Sequence, residues 1–534
     1  MMNEAFIRTE DINPKVVQDF FVETDNDRDI IETLKGIQPV LLVGSRGTGK
    51  TMLLRIAEQE LSNDFNENKI LPVFVNLATC NIHENKYLLK ILISRTLIGL
   101  QHSLKSHGIL LSGSIFKPVT DIEVNPIVKR LETYITETSR IQSNGEEIEI
   151  NDELIKTDIA KLLEFLSELC EQFNIKRINF FFDEACQVFQ PTQQRVFFDF
   201  FRSLRTYYIS CNAAVYPGIV TYGSFQKFHD ATVKRIERNI ISENYILQMR
   251  EIVQKHYSED YGYLSKQGEL LDSMIYASSG NPRFLLKSIN EVFLKFRKYN
   301  TQAVNTIIKD FYGTTIWSEH IKLGDLYSGH KDMIDWARNF IEDKVLEDIV
   351  KINLDPDSKN TVYFSISRNA PEVVKQAIKT LEYSGVISIH TEGTKYRNEM
   401  YDRYEINLGI IVLKEKQVAI QKRIKEIVDN LSIKVFPNYG ANSSSYNEYS
   451  HLKDISKYEA DYNEIMNEMM NKDISILDIS PFLQSKMYEG GIRTLGEALS
   501  KDETDLQNIR YIGPVRSRKI ANVVYNSILE YISG

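Results

Sequence analysis

The feature of this sequence that most limits its fold is a glycine-rich loop between a short apolar run and an amphipathic one. The loop follows the spacing GxxxxGK[ST] and reads Gly44-Ser45-Arg46-Gly47-Thr48-Gly49-Lys50-Thr51. The apolar run 39–43 before it predicts a buried strand, and the apolar positions after it recur at helical spacing. A strand, a glycine-rich turn and a helix in this order predict a phosphate-binding loop.

The residue types of this loop suit a nucleoside triphosphate, which we expect to be ATP. Glycines let backbone N–H groups converge on phosphate oxygens, and the helix N-terminus adds partial positive charge. We expect Lys50 to reach the β- and γ-phosphates and the Thr51 hydroxyl to bind Mg²⁺. The alternative, a chance glycine-rich turn, is disfavoured by the flanking strand and helix.

A pair of acidic residues follows another predicted strand. The run 177–182 ends in three phenylalanines and is followed by Asp183 and Glu184. Ligand-contacting residues lie at the carboxyl ends of strands in doubly wound sheets, so Asp183 is expected to hold Mg²⁺. Glu184 is expected to polarise the lytic water. The alternative is a solvated Asp-Glu pair after a strand. Together with the loop, the pair predicts ATP hydrolysis to ADP and phosphate.

The order of elements predicts an α/β fold with several further units. Strands alternate with helices over residues 1–245, which predicts a parallel sheet covered on both faces. We predict a helical lid over 246–310, a winged-helix-like unit over 311–415, a helical connector and linker over 416–472, and an all-α unit over 473–534. The polar stretch 139–152 is interpreted as a surface insertion.

Composition narrows the class of protein and its compartment. At 534 residues the chain is too long for one core, and its net charge of −9 excludes a uniformly basic nucleic-acid-binding surface. Four cysteines without metal-ligand spacing argue against disulfides and structural zinc. No signal peptide or membrane-length apolar run is visible, so we expect no membrane contact and a cytoplasmic location.

The motifs together resemble a known family. The loop VGSRGTGKT, the strand FFFDE, the strand with AAVYPG and the helical segment GNPR are similar to those of AAA+ ATPases. Within AAA+ the resemblance is closest to origin-recognition/initiator-type ATPases and their bacterial relatives. It covers roughly residues 20–300. It implies assembly into a homo- or hetero-oligomer through the ATPase domain.

The resemblance also implies roles for four residues outside the loop. Arg283 matches the lid arginine that contacts the γ-phosphate (sensor 2), although a helix-capping turn gives the same sequence. Thr221 is the candidate for the polar residue that ends the fourth strand (sensor 1). Arg235 and Arg238 lie where an arginine finger from a neighbouring subunit falls. A charged surface helix is the alternative for that segment.

A winged helix is predicted over residues 366–411. Pro371 suits a helix start and Gly385 a helix stop, and strands at 386–397 and 404–411 would form the wing. The resemblance to initiator ATPases predicts such a domain here. Its basic and acidic residues are nearly balanced, so DNA contact and protein–protein contact both stay open.

The C-terminal unit resembles a helix-hairpin-helix motif. Its basic turn is expected to contact nucleic-acid phosphate without reading bases, through Arg510, Gly513, Arg516, Arg518 and Lys519. Tyr511 replaces a glycine that is usual in the motif. Residues 487–499 resemble a first hairpin of the same type. A small helical docking domain with a solvated basic turn is the alternative.

Two functions therefore stay open at the level of sequence. In the first, an initiator-like ATPase couples its nucleotide state to nucleic-acid binding, most simply DNA. In the second, a signalling ATPase assembles with an effector protein, as in bacterial antiviral defence. A catalytically inactive scaffold is disfavoured, because Lys50, Thr51, Asp183 and Glu184 occur together.

Overall fold

The computed structural model describes most of the chain. The described residues are 9–77, 85–109, 158–185, 191–218, 220, 222–326, 331–396, 399–415, 419–446, 449, 470–477, 479–501 and 503–533. The predicted insertion 139–152 and the sensor candidate Thr221 lie outside them. The predicted domain boundaries stay predictions.

Five parallel strands form the first sheet. They are β1 (Val40–Val43), β2 (Ile70–Asn76), β3 (Arg177–Asp183), β4 (Ile209–Val215) and β5 (Thr232–Arg235). Their spatial order is β2-β3-β4-β1-β5. Every residue of β1 and β4 is buried, as expected for parallel strands that carry helices on both faces. The prediction of an α/β fold with a parallel sheet is confirmed.

Helices cover both faces of this sheet, and the alternation of side chains along β1 shows how. Leu42 packs into the cluster that contains Leu54 of the helix after the loop. Its neighbours Leu41 and Val43 pack into the opposite cluster, because successive strand residues point to opposite faces. The helices are α1 (Val17–Phe20), α2 (Asp27–Lys35), α3 (Lys50–Asn63), α4 (Phe65–Asn68), α5 (Asn85–Ser106), α6 (Ile159–Gln172), α7 (Pro191–Ser203) and α8 (Lys227–Asp230), preceded by 3₁₀ turns at Thr9–Asp11 and Pro14–Val16.

A helical region follows the sheet. Its first four helices, called the lid helices below, are α9 (Tyr245–His256), α10 (Tyr261–Ser265), α11 (Gly268–Ala277) and α12 (Pro282–Phe296). The Asn281 side chain caps α12 by accepting from the Phe284 N–H, and Pro282 occupies the first turn. The remaining helices are α13 (Thr301–Asp310), α14 (Ile316–Ile321), α15 (Leu323–Leu326), α16 (Lys331–Phe340) and α17 (Leu346–Leu354), with π-helical segments at Phe311–Thr315 and Ile341–Val345.

A second sheet carries the predicted winged helix. Its elements are β6 (Tyr363–Ser367), α18 (Glu372–Ser384), β7 (Ile387–Tyr396), β8 (Glu399–Ile406), α19 (Leu408–Lys414), α20 (Ile420–Asp429) and β9 (Asn438–Tyr439). The strand order is β7-β8-β6-β9. The helix and hairpin are confirmed, and α18, β7 and β8 are called the winged helix below. The second strand predicted at 404–411 exists but lies earlier, as β8, because the Asn407 side chain accepts from the Gly409 N–H and starts α19.

The C-terminal unit, residues 470–533, has a small core of its own. Its helices are α21 (Pro481–Glu489), α22 (Leu495–Leu499), α23 (Glu503–Gln507) and α24 (Pro514–Ser533). Leu483, Met487, Leu495 and Ile520 pack together in that core. The helix-hairpin-helix assignment stays a prediction. Across the part of the chain that the model describes, no helix has the length and apolarity needed to span a bilayer.

Candidate functional site

The glycine-rich loop joins the carboxyl end of β1 to the first residue of α3. Gly47 and Gly49 have φ angles of 89° and 102°, a left-handed conformation that favours glycine. Gly49 is also the N-cap residue of α3. The loop therefore has the backbone that the sequence motif demands, and it directs the N-terminus of a helix of 14 residues toward the edge of the sheet.

Lys50 lies beneath this loop. Its side chain is buried, and its ammonium group donates to the carbonyls of Gly44 (2.7 Å) and Ser45 (3.0 Å). The same group lies 4.0 Å from the ring centroid of Tyr216. Burial lowers the pKa of Lys50 to about 7, and the carboxylates of Glu184 and Asp183 oppose that shift. An anionic phosphate at the loop would favour the charged form of Lys50.

Thr51 and Asp183 meet at the end of β3. The Thr51 hydroxyl donates to the Asp183 carboxylate over 2.8 Å, and Asp183 is 2% exposed. Both are oxygen ligands of the kind that Mg²⁺ prefers. Within the described ranges, no group of three or more His, Cys, Asp and Glu side chains is placed to hold a metal. A magnesium ion held by Thr51 and Asp183 would therefore need phosphate oxygens to complete its coordination.

Glu184 comes directly after β3 in a conformation that is uncommon for glutamate, with φ at 57°. One of its carboxylate oxygens accepts from the Tyr216 hydroxyl over 2.9 Å. Tyr216 follows the last residue of β4, the strand next to β3. The backbone strain and the hydrogen bond together fix the Glu184 carboxylate beside the loop.

The lid helices close over the phosphate loop from the other side. The Arg283 N–H donates to the Gly47 carbonyl over 3.4 Å, and the Asn281 amide donates to the Arg46 carbonyl over 2.9 Å. A Cβ atom at Gly47 would lie 2.6 Å from the Arg283 Cβ, so only glycine permits this approach. The structure thus brings Arg283, which the resemblance named as sensor 2, into contact with the loop.

Arg238 is the second arginine at the loop. Its side chain is 9% exposed, and a guanidinium nitrogen donates to the Thr48 carbonyl over 2.7 Å. Asp27, at the start of α2, lies 3.9 Å away. The Nε atoms of Arg238 and Arg283 are both buried without a hydrogen-bond partner among the described residues. An unsatisfied buried donor costs about 1–3 kcal/mol, so an anion between these arginines would be stabilised.

A cavity of about 90 Å³ lies beside the loop. One wall is polar and carries Lys50, Glu184 and Arg283. The opposite wall is apolar and aromatic, and it comes from the N-terminal segment and the lid helices. This wall consists of Ile12, Phe20, Phe21, Val22, Ile252, His256 and Leu286. Ligand pockets usually measure about 300–1,000 Å³, so the lid helices must move outward to admit a nucleoside triphosphate.

Sequence reasoning missed this apolar wall. Phe20 and His256 have ring centroids 5.2 Å apart, yet they are far apart in the sequence and belong to no motif. Their only local signal is an aromatic pair, Phe20 and Phe21, upstream of the loop. A base could pack against such rings while its phosphates lie in the loop.

The resemblance also named Thr221, Arg235 and Arg238, and their outcomes differ. The fourth strand ends at Val215, so the strand-end position assigned to Thr221 is occupied by Tyr216. Residues Thr232–Arg235 form strand β5 rather than a charged surface helix, so that alternative is wrong. Arg235 pairs with Glu392 of β7. The arginine-finger role of Arg235 and Arg238 needs a second subunit and stays a prediction.

The winged helix contacts the phosphate loop directly. The Arg46 N–H donates to the carbonyl of Tyr383, near the C-terminus of α18, over 3.4 Å. The rings of Tyr216 and Tyr383 lie 4.9 Å apart in an edge-to-face arrangement. The Leu408 N–H also donates to the Ser279 hydroxyl of the lid over 2.8 Å. Loop, lid and winged helix are therefore joined by hydrogen bonds around Arg46.

A second cavity, of about 300 Å³, lies between the sheet domain, the lid and the winged helix. Glu382 and Glu405 line it and are 5% and 8% exposed. Burial raises the pKa of Glu382 to about 7 and that of Glu405 to about 8. The charge of Glu237, in the segment after β5, adds to the shift of Glu405. These two carboxyls are therefore sensitive to how the winged helix is seated.

The basic residues predicted in the C-terminal unit lie together. Arg510 and Gly513 belong to the turn before α24, and Arg516, Arg518 and Lys519 lie in the first turns of that helix. The side chains of Arg510, Arg516, Arg518 and Lys519 are exposed or partly exposed. A Cβ atom at Gly513 would meet no atom within 4 Å, so this turn is open to a ligand.

Comparisons with known proteins bear on the part of the chain that carries the loop. A sequence model of the ORC-CDC6-like family matches residues 5–82. The solved ORC1 protein of Aeropyrum pernix, in complex with DNA, is 13% identical, with a TM-score of 0.35 over 77% of this chain and 94% of that one. The ORC2 protein of Aeropyrum pernix, solved as ADPNP-ADP complexes, is 10% identical, with a TM-score of 0.34 over 77% and 97%. No curated protein matches the chain significantly.

Of these comparisons, the family match is the informative one. The matched segment contains the whole phosphate loop together with β1, α3 and β2. TM-scores below 0.5 do not by themselves establish a shared fold, and the sheet order above stands on the structure alone. Residues 5–82, which carry the candidate phosphate loop, are therefore similar to the ORC-CDC6-like family, in line with the resemblance to initiator-type AAA+ ATPases.

Proposed function

We propose that this chain is an ATP-hydrolysing AAA+ switch that couples its nucleotide state to nucleic-acid binding, with DNA as the main ligand. The observation that carries the proposal is the hydrogen bond between the Arg46 N–H of the phosphate loop and the Tyr383 carbonyl of the winged helix. A helix bonded to the loop responds when phosphate changes the contacts of that loop.

The loop and the carboxylates supply the groups that hydrolysis needs. Lys50 binds the β- and γ-phosphates, and Thr51 and Asp183 would hold Mg²⁺, which would neutralise charge on the phosphates. Glu184 accepts a proton from the water whose oxygen attacks the γ-phosphorus. The bond from that phosphorus to the β-phosphate oxygen breaks, and Lys50 stabilises the charge left on ADP. The buried, unpartnered Nε atoms of Arg283 and Arg238 support an anion at this position.

Arg46 supports a coupling between nucleotide and winged helix. Its carbonyl accepts from the lid residue Asn281, and its N–H donates to Tyr383. One residue of the loop, Arg46, is thus hydrogen-bonded to both the lid and the winged helix. Because a bound nucleotide requires an open lid and a loop wrapped around phosphate, these two bonds must lengthen or exchange as the nucleotide state changes.

Tyr216 supports a second connection. Its hydroxyl donates to Glu184, its ring lies over the Lys50 ammonium, and its edge meets the ring of Tyr383. A change in charge at Lys50 or Glu184 therefore acts on a side chain that packs against the winged helix. We assign Tyr216 as the positioning residue at the strand end where the sequence suggested Thr221.

Nucleic acid is proposed to bind the C-terminal unit. Four cations, Arg510, Arg516, Arg518 and Lys519, surround the open turn at Gly513. The overall charge of −9 makes binding depend on this local concentration of cations. The effector-assembly alternative predicted from the sequence has no described contact or comparison in its favour.

The coupling is tested by measuring DNA affinity in three nucleotide states. Wild type should bind labelled DNA differently with ATP, with ADP and without nucleotide. Tyr383→Ala should keep the ATPase rate within about threefold and reduce the nucleotide dependence, because the ring contact with Tyr216 disappears while the backbone carbonyl that accepts from Arg46 remains. Glu184→Gln should keep ATP and hold the protein in its ATP state.

Tyr207→Ala is the matched control, because Tyr207 is 81% exposed. This variant should behave like wild type in both assays. If wild-type DNA affinity is the same in all three nucleotide states, the coupling is wrong even if the chain hydrolyses ATP. If neither hydrolysis nor DNA binding is found, the whole proposal fails.

A further inference from the structure

The turn before α24 holds a tyrosine in a backbone conformation that favours glycine. Tyr511 has a φ angle of 74°, which costs free energy for any residue with a Cβ atom. Its ring is 56% exposed, so packing of the ring offsets little of that free energy. A strained residue whose side chain is held in solvent suggests a function that requires the side chain there.

A second exposed aromatic residue lies beside it. Phe482, in the first turn of α21, is 47% exposed, and its ring centroid is 6.5 Å from that of Tyr511. The planes of the rings are inclined by 66°, so they do not stack on each other. Each ring therefore keeps surface that a flat ligand can cover.

Three cations surround these rings. The Lys486 ammonium lies 5.8 Å from the Phe482 centroid and 5.3 Å from that of Tyr511. The guanidinium of Arg510 lies 5.1 Å from the Tyr511 centroid, and that of Arg516 lies 5.4 Å from the Phe482 centroid. Arg516 also donates to the Tyr511 carbonyl over 2.7 Å. Phe482, Lys486, Arg510, Tyr511 and Arg516 are called the basic aromatic patch below.

The charge of the patch selects among ligands. Lys486 pairs with Glu489, so it contributes little net charge. Arg510 and Arg516 form no ion pair with any residue of the described ranges, and they leave the patch positive. The cations that lie over these rings repel a cationic ligand and attract an anionic one. The ligand that fits is anionic and carries exposed flat rings.

We propose that the basic aromatic patch binds single-stranded nucleic acid, with bases stacked on Phe482 and Tyr511 and phosphates at Arg510 and Arg516. Bases in a duplex are stacked on each other and cannot offer their faces, whereas unpaired bases can. This inference rests on the proposed binding of nucleic acid by the C-terminal unit. It adds that the unit prefers the unpaired form.

The test uses the full-length chain and fluorescence anisotropy with labelled oligothymidylate and with a labelled duplex. Wild type binds the single strand more tightly than the duplex. Tyr511→Gly removes both the ring and the backbone strain. It should lower single-strand affinity about tenfold and leave duplex affinity within about twofold, because stacking is lost and the phosphate contacts stay.

Two further variants keep the result interpretable. Tyr511→Phe retains a ring and should restore single-strand binding. Tyr488→Ala removes a tyrosine of the same helix as Phe482 that lies outside the patch and is 37% exposed, and it should leave both affinities unchanged. Thermal unfolding of Tyr511→Gly should show no loss of stability, since its backbone suits that φ angle.

The outcomes separate this inference from the proposed function. Equal affinity for both forms in wild type, or equal losses for both in Tyr511→Gly, overturns the single-strand preference while nucleic-acid binding stands. Binding of poly-glutamate but of neither oligonucleotide overturns both, because an acidic protein would then be the ligand.

Discussion

The winged helix and the C-terminal unit are both candidates for nucleic-acid contact, and they differ in whether their cations form ion pairs. In and around the winged helix, three cations are paired with acids of the same chain. The pairs are Lys375 with Glu372, Arg368 with Asp402, and Arg235 with Glu392. In the C-terminal unit, Arg510 and Arg516 are exposed and have no such pair among the described residues.

Their apolar surfaces differ in the same way. Tyr383, near the end of α18, is buried in a cluster with Tyr216, Leu323 and Ile334. The winged helix therefore packs against the sheet domain and the helical region. Phe482 and Tyr511 of the C-terminal unit remain about half exposed. These differences support our proposal that the winged helix contacts the candidate nucleotide site and that the C-terminal unit contacts a ligand. A domain that usually binds DNA can serve as an internal contact when its charges are neutralised.

The largest effect is expected at the nucleotide site. Lys50→Ala should abolish ATP binding, because the loop loses its only lysine. Glu184→Gln should retain ATP and lower kcat about a hundredfold or more, because the general base is lost. Rates of phosphate release and binding of a fluorescent ATP analogue check both. Normal turnover in Glu184→Gln would contradict the assignment of the base.

The next effect separates the two candidate modules. Arg510→Ala combined with Arg516→Ala should weaken nucleic-acid binding about tenfold or more. It should also reduce the slope of log affinity against log salt by about one for each lost phosphate contact. Arg368→Ala combined with Lys375→Ala in the winged helix should change affinity less than about twofold, because both cations are already paired. A larger loss of affinity in the Arg368 and Lys375 variant than in the Arg510 and Arg516 variant would contradict this comparison.

A smaller effect tests the link between the site and the winged helix. Tyr216→Phe removes the hydroxyl that donates to Glu184 and keeps the ring against Lys50 and Tyr383. We expect kcat to fall about three- to tenfold with KM little changed, since one hydrogen bond to the base is lost. The nucleotide dependence of DNA affinity should persist. Its loss in Tyr216→Phe would mean that the hydroxyl, not the ring contact, carries the coupling.

The elements that carry the candidate phosphate site could be predicted from the sequence, because each is a local pattern. The loop, the strand before it and the acidic end of β3 each lie within one short segment, and the sheet then brings those segments to one edge. The same locality gave the α/β class and the winged-helix hairpin. Lys50, Thr51, Asp183 and Glu184 needed no long-range information.

The rest depends on contacts between distant segments. Tyr216 was not identified, because the apolar run 213–221 suggested a strand that continues past it, whereas β4 ends at Val215. Arg238 was predicted as an arginine-finger candidate, with a charged surface helix as the alternative, since nothing in its neighbourhood shows that Thr48 would accept its hydrogen bond. The bond of Arg46 to Tyr383 has no sequence signal at all. Packing of one domain on another is not encoded in any window of sequence.

The smallest effect concerns the pH dependence of folding stability. It tests whether the winged helix packs against the sheet domain. Burial and Glu237 raise the pKa of Glu405 to about 8, above its ordinary value of 4.5. The folded state therefore holds this proton more tightly than the unfolded chain. Stability falls as pH rises from about 4.5 to about 8, and the loss is complete above the folded pKa. Glu405→Gln should remove that fall and stabilise the protein at pH 8 by about 1–3 kcal/mol.

The measurement is the free energy of unfolding, or Tm, of the main transition at pH 5.5 and pH 8, for wild type and for Glu405→Gln. Glu347→Gln, at an exposed position, is the control and should change stability by less than about 0.5 kcal/mol at either pH. Because Glu237 lies in the segment after β5 and Glu405 in β8, their interaction exists only while the winged helix is docked. Equal effects of Glu405→Gln at both pH values would mean that this carboxyl titrates in water, and the winged helix would then be as free as the C-terminal unit.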